Sequence, residues 1–285
     1  MLKHFLKKHF LITKVRNRFF PSVQIGQRQL FLQYQEQAGQ KALPKITDVG
    51  FRVFSQYEED GKILFIFSVL GMQHKTFVEI GSDDGINSNS ANLYFNFGWH
   101  GLFIDGNAKS VNRGRHFFSK YPHPLFYPPV FVNEKVNRNN INSLIEKAGL
   151  KGEIGFLSID VDGYDYWIWE ALEIVSPQVV MIETNNVFGT KNIVVPYDPT
   201  YVFPGKHPNY HGASPTAMTK LANKKGYRLV GANDLGFNLI YVRNGLADIL
   251  IPEVSVESVL HHPSNKHEQA KFKLVEGFDF VTPIE

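Results

Sequence analysis

The sequence predicts an α/β fold: a Rossmann-like seven-stranded sheet, mostly parallel with an antiparallel last strand, and helices on both faces. Three observations predict it. From about residue 51 onward, short apolar runs alternate with helical segments, the pattern of repeated strand–helix units. The runs are nearly continuously apolar, as in strands covered on both faces. The last two are joined by the short link 232–236, which suits an antiparallel pair and not a parallel crossover.

Each element follows from local signals. Residues 1–50 read as an N-terminal basic helical appendage, with a Gln-rich run over 24–40 and a turn near Pro44. Residues 58–71 read as a helix, with Asp60 near its start and Gly71 as its stop. Thr76 to Ile80 reads as a short buried strand, 81–86 as a Gly- and Asp-rich loop, and 87–97 as a helix ended by Gly98. Strand 101–105 and helix 108–120 follow, then strand 130–132 after a Pro-rich turn, and a short helix over 139–148. Residues 154–161 form a strongly apolar strand, 164–172 a helix and 179–183 another strand. The long irregular stretch 185–213 carries Pro196, Pro199, Pro204 and Pro208. A loop of this length inside a compact domain marks a lid or binding loop. Helix 215–225 and strands 227–231 and 237–242 complete a domain at 51–245, leaving 246–285 as a C-terminal extension.

Composition narrows the function classes. The 285 residues are 43% hydrophobic and 20% charged, ordinary for a globular chain. A net charge of +3 is too small to argue for a nucleic-acid partner. The absence of cysteine removes disulfides, thiolate metal sites and cysteine nucleophiles, and it fits a cytoplasmic, reducing location. No run approaches the ~20 apolar residues of a membrane span. Residues 1–20 carry Lys3, Lys7, Lys8, Lys14, Arg16 and Arg18 and no acid, among Phe, Leu, Ile and Val. Lys8 and Lys14 break any signal-peptide core. The stretch is a candidate peripheral membrane contact; the alternative is a terminal helix packed on its own domain or on a dimer mate. Nothing in the sequence sets the oligomeric state.

The chemistry concentrates at strand ends, where open α/β sheets bind their ligands. The first strand runs into Glu79-Ile-Gly-Ser-Asp-Asp-Gly85, an E-x-G-x-x-x-G loop. Gly81 and Gly85 let the backbone turn sharply and approach a ligand. A dinucleotide loop wants G-x-G-x-x-G with a pyrophosphate on the helix N-terminus, and Asp83 and Asp84 would repel that phosphate. S-adenosylmethionine (SAM), with its sulfonium and amino group and no phosphate, suits the loop better. The second strand ends in Asp105, placed to take two ribose hydroxyls.

On these residues the chain resembles the FkbM-like branch of class I SAM-dependent methyltransferases. The matching stretches are Phe54 to Gly61, Phe77 to Ser88, Gly98 to Asp105, Phe156-Leu-Ser-Ile-Asp-Val-Asp-Gly-Tyr-Asp165, and Gly212-Ala-Ser214 with its following helix. The resemblance implies a seven-stranded sheet of order 3-2-1-4-5-7-6 and O-methyl transfer, often to sugars. It points to Glu79, Gly81, Gly85 and Asp105 for SAM, and leaves Asn133 or Glu134 at the adenine. The candidate cofactor-binding residues are Glu79, Gly81, Ser82, Asp83, Gly85, Ser88, Asp105, Gly106, Asn133 and Asp160.

A second acidic cluster follows the fourth apolar strand. Asp160 and Asp162 share a face of any extended backbone, and Glu183 ends the next strand, with Asn185 close behind. Adjacent strands lie about 4.8 Å apart, so Asp160 and Glu183 can meet. Converging carboxylates want a shared proton or a hard cation. Related sugar O-methyltransferases use a magnesium site in this region, which makes Mg2+ held by Asp160, Glu183 and Asn185 a candidate. The candidate catalytic residues are Asp160, Asp162 and His211. Asp160 is the first choice to take the hydroxyl proton, or it holds the ion that acidifies the hydroxyl; the bland alternative is that it contacts SAM or caps the next helix. His207 and His211 in the long loop are potential bases or merely solvated.

The expected activity is SAM-dependent O-methylation of a hydroxyl on a sugar, glycan or related small molecule. Two alternatives stand: a metal-dependent glycosyltransferase using Asp160-Val-Asp162 as an Asp-x-Asp motif, and a non-catalytic SAM-binding module. A nicotinamide dehydrogenase is disfavoured by the glycine spacing.

Overall fold

A computed structural model describes residues 15, 17–120 and 128–283. The basic residues of 1–14, Arg16 and the Pro-rich turn at 121–127 lie outside the described residues, and most of the candidate membrane contact with them. Among the described residues, no helix is long and apolar enough to cross a membrane.

Seven strands form one sheet: β1 (Thr76–Ile80), β2 (His100–Asp105), β3 (Val130–Asn133), β4 (Gly152–Ile159), β5 (Val175–Glu183), β6 (Tyr227–Ala232) and β7 (Asn238–Arg243). Their order is β3-β2-β1-β4-β5-β7-β6, as the resemblance implied. The pairs β1–β2, β1–β4, β2–β3 and β4–β5 are parallel, and β7 runs antiparallel to β5 and β6. The C-terminal ends of β1 to β5 therefore share one edge of the sheet.

Nine helices surround it: α1 (Pro21–Gly39), α2 (Glu59–Leu70), α3 (Ala91–Phe97), α4 (Ala108–Phe118), α5 (Ile141–Lys147), α6 (Asp165–Ala171), α7 (Pro215–Lys224), α8 (Val256–Val259) and α9 (Ser264–Ala270) among the described residues. Alternate strand residues feed opposite faces. Val78, Ile80, Leu102 and Leu157 join α5, α6 and α7 in one buried cluster. Phe77, Phe103 and Phe156 join α2, α3 and α4 in the other. Each such fully buried side chain contributes about 1.5–3 kcal/mol. α1 packs on that second cluster, with the Tyr34 ring edge-on to Phe65 at 5.1 Å.

Three boundaries shift for a local reason. α3 begins at Ala91 and not near residue 87, because the Glu79 carboxylate takes the N–H groups of Asn89 and Ser90 and holds them as loop. β4 stops at Ile159 and not at Val161, because the Asp165 carboxylate takes the N–H groups of Val161 and Gly163. β5 starts early, at Val175, where Gly152 of β4 still pairs with it. The tail beyond β7 folds back under the long loop. Val281 bridges Val194, which also bridges Ala213, and Phe272 and Phe280 pack around Phe188.

Candidate active site

The loop after β1 is shaped by what its glycines touch. Gly81 has φ +80°, and a Cβ there would sit 1.5 Å from the Asp160 carbonyl oxygen. Gly85 has φ +68°, with the Phe103 ring 3.1 Å from where its Cβ would be. Between them Asp83 adopts φ +48° and donates its N–H to the Asp105 carboxylate at 2.8 Å. The other Asp105 oxygen accepts the Asn107 N–H at 2.7 Å.

Glu79 is buried beneath the same loop. It accepts N–H bonds from Asn89 at 3.1 Å and Ser90 at 2.8 Å. Burial raises its carboxyl pKa, and those donors oppose the rise. Glu79 pairs in register with Phe103, and Asp105 lies two residues on, so both acids belong to one face of the sheet. Loop 81–90 ties the two together through its own N–H groups.

Several expected cofactor residues hold the loop from inside. The Ser82 hydroxyl donates to Ile104 O at 3.4 Å. The Ser88 hydroxyl donates to Gly85 O at 3.3 Å and accepts the Ala91 N–H at 3.2 Å. The Asn133 amide donates to Asp105 O at 2.9 Å, which places Asn133 beside exposed Gly106 at the rim.

Asp83 and Asp84, expected to repel a phosphate, do not stand without a counter-charge. Arg113 of α4 bonds Asp84 at 2.6 Å and Asp83 at 3.0 Å, and Asp84 also accepts the Ile86 N–H at 3.0 Å. This guanidinium supplies a counter-charge from a helix that the loop motif does not include. Arg18, likewise unforeseen, donates to Asn87 Oδ1 at 3.2 Å. No signal in the linear sequence joined either arginine to the loop.

The acidic tip assembles at the adjoining ends of β4 and β5. Ile159 pairs with Ile182, so Asp160 and Glu183 follow side by side. Asp160, Asp162 and Glu183 bring carboxylate oxygens within 4.8 Å of one another. Asp162 does so from a turn with φ +54° and not from an extended strand. Asp165 pins that turn by accepting the N–H groups of Val161 at 2.9 Å and Gly163 at 3.1 Å. Burial, then the Asp165 and Asp162 charges, push Asp160 up to about 7. Burial and the Asp160 charge raise Glu183 well above the usual carboxylate range. Two buried carboxyl groups this close favour holding a proton between them over standing doubly charged.

The other expected residues are placed differently. Asn185 commits its amide to the long loop, donating to Asn209 O at 3.2 Å and His211 O at 3.0 Å and accepting the Val187 N–H at 3.0 Å. Asp162 stands as the third carboxylate instead. The His207 ring accepts the Asn209 N–H at 3.1 Å and shapes a turn. The His211 ring lies edge-on to Phe203 at 5.6 Å; burial lowers its pKa, and the Asp162 charge opposes this. A separate cavity of about 450 Å3 along β6, lined by Ile46, Phe65, Ala232 and Ile251 among others, contains none of these residues.

No family model matches the chain, and no curated protein does. Solved structures similar to it in fold include a SAM-dependent methyltransferase from Methanosarcina mazei, with 10% identity over 59% of this chain and 92% of that one, TM-score 0.38. A magnesium protoporphyrin IX methyltransferase from Synechocystis with bound SAM has 10% identity over 64% and 76%, TM-score 0.40. A SAH-bound methyltransferase from Podospora anserina has 14% identity over 75% and 86%, TM-score 0.41. Likeness at these values is one of fold.

Proposed function

We propose that this chain is a SAM-dependent O-methyltransferase acting on a hydroxyl of a sugar, glycan or related small molecule, in the cytoplasm. The observation that carries the reading is the bond from Asp83 N–H to the Asp105 carboxylate. It holds an acid at the end of β2 against the glycine loop, at the strand-end position where open α/β sheets bind nucleosides. The carboxylate trio stands two and three strands away from β2 on the same sheet edge, where an acceptor would face the sulfonium.

In the proposed reaction the acceptor oxygen forms a bond to the methyl carbon while the carbon–sulfur bond breaks. The electron pair passes to sulfur, leaving S-adenosylhomocysteine (SAH). The hydroxyl proton passes to Asp160 Oδ, whose affinity near neutral pH suits a general base. Positioning supplies much of the rate. The alternative role for the same carboxylates is to hold a hard dication such as Mg2+, which the oxygen donors of Asp160, Asp162 and Glu183 fit and which when bound would lower the hydroxyl pKa in place of Asp160 acting as base.

Calorimetric titration with SAH and with a nucleotide sugar tests the reading, because the glycosyltransferase alternative demands the second ligand. Asp160→Asn is expected to keep SAH affinity and to lose methyl transfer by roughly a hundredfold or more. Full turnover by that variant would remove Asp160 from the mechanism. SAH binding without transfer to any acceptor pool would leave a binding module.

A further inference from the structure

The long loop reaches the acidic tip through one side chain. The Tyr201 hydroxyl donates to the Asp162 carbonyl oxygen at 3.0 Å. Its ring lies between two glycines: a Cβ on Gly163 would sit 2.9 Å from the ring, and one on Gly205 would sit 2.5 Å from it. Both glycines have positive φ, +140° and +61°. Tyr164 closes a further side, with ring centroids 5.0 Å apart. Behind the ring, Lys135 Nζ donates to the Tyr201 carbonyl oxygen at 2.6 Å. The Lys135 Cα lies 3.8 Å from where a Gly106 Cβ would be, at the rim next to Asp105.

These contacts bear on the Asp162 turn, which is held from two sides. A non-glycine residue at φ +54° costs free energy unless its surroundings impose it. Asp165 restrains the turn from below through two N–H bonds, and Tyr201 restrains it from above. Released, Asp162 would relax and carry its carboxylate away from Asp160 and Glu183, because like charges repel.

We propose that Tyr201 is a positioning residue that clamps the Asp162–Gly163 turn, so that Asp162 completes the carboxylate trio, and that Lys135 anchors this clamp to the rim of the cofactor site. The proposal rests on the reading of the trio as a hard-cation and acceptor site. Tyr201 touches the backbone of the turn and acts through it. The sequence singled out 185–213 as a binding loop, and the clamp gives that loop a specific task.

The test uses the full-length chain, Mn2+ as the probe by electron paramagnetic resonance, and SAH titration in parallel. Tyr201→Phe deletes one hydroxyl and keeps the ring. It is expected to weaken Mn2+ binding roughly tenfold, the range for residues that orient metal ligands, with SAH affinity unchanged. Lys135→Met is expected to weaken Mn2+ in the same direction by a smaller factor. Asp160→Asn marks the site by abolishing Mn2+ binding. If wild type and Tyr201→Phe bind Mn2+ equally, the clamp is overturned while the trio keeps its reading. If Tyr201→Phe loses Mn2+ and SAH alike, the tyrosine is a general structural residue and the proposal fails. If wild type binds Mn2+ no better than Asp160→Asn does, the cation reading falls and the clamp with it.

Discussion

Asp160 and Glu183 converge at the ends of two paired parallel strands, because the register that sets Ile159 beside Ile182 delivers the next residue of each strand to one point. Neither acid has a counter-ion in its own strand, so the pair is a source of pH dependence. Burial raises Asp160 to about 7 and Asp165 and Asp60 each to about 6. A folded state with raised carboxyl pKa values prefers the protonated form. Its stability contribution is therefore complete below the ordinary carboxylate range and is lost as pH rises through those values. Without a divalent ion, the urea midpoint is expected to fall between about pH 4 and pH 7. Glu183→Gln should make that slope shallower, and the Asp160→Asn, Glu183→Gln double variant shallower still. An unchanged slope in the double variant would place the pH dependence elsewhere.

Gly81→Ala is expected to be among the most damaging single-methyl changes in the chain. The new Cβ would sit 1.5 Å from the Asp160 carbonyl oxygen, on a residue at φ +80°. Either β1 separates from β4 or the loop is rebuilt, at roughly 3 kcal/mol or more. Gly149→Ala is the control, since it shares φ +81° and has nothing within 4 Å; it should cost only about 1–2 kcal/mol. Equal costs in urea unfolding would show that the close approach to β4 is relieved freely.

Asp105→Ala leaves the N–H groups of Asp83 and Asn107 without their shared acceptor. Bonds to a charged group are worth about 1.5–3 kcal/mol, so SAH affinity should fall roughly tenfold to a hundredfold. Asp105→Asn keeps one acceptor oxygen and should lose less. An Asp105→Ala variant that binds SAH normally would break the link between this acid and the cofactor.

Arg113→Met removes the shared counter-charge of Asp83 and Asp84. The Arg113–Asp83 pair is exposed and worth little, but the Asp84 side chain is 4% exposed, so stranding that acid should bring the stability cost to roughly 1–3 kcal/mol. The larger effect is expected on the loop: weaker SAH binding, and faster hydrogen exchange at Asp83, Gly85 and Ile86. Unaltered exchange there would show that backbone bonds alone hold the loop.

The legible part of the site followed from short-range pattern. Strand alternation placed Asp105 at the end of β2, and two apolar runs ending in Asp160 and Glu183 announced the converging acids. The sequence predicts helix over 87–90, and the structure has loop there because a competitor, the Glu79 carboxylate, acts from the preceding strand. Asn185 looked like a third ligand from its proximity to Glu183, yet its amide serves the carbonyl groups of Asn209 and His211, partners more than twenty residues away.

The sequence by itself determined the seven-stranded α/β architecture, the glycine loop and the acid at each strand end. These depend on periodicity and on backbone conformations that glycine alone adopts readily. Only the tertiary structure decided which charges meet: Arg113 on Asp83 and Asp84, Asp162 beside Asp160 and Glu183, and Tyr201 over the Asp162 turn. Side-chain hydrogen bonds and ion pairs act over a few ångströms, and the chain segments that supply them are brought within that reach by packing across the sheet, which leaves no periodic trace along the chain.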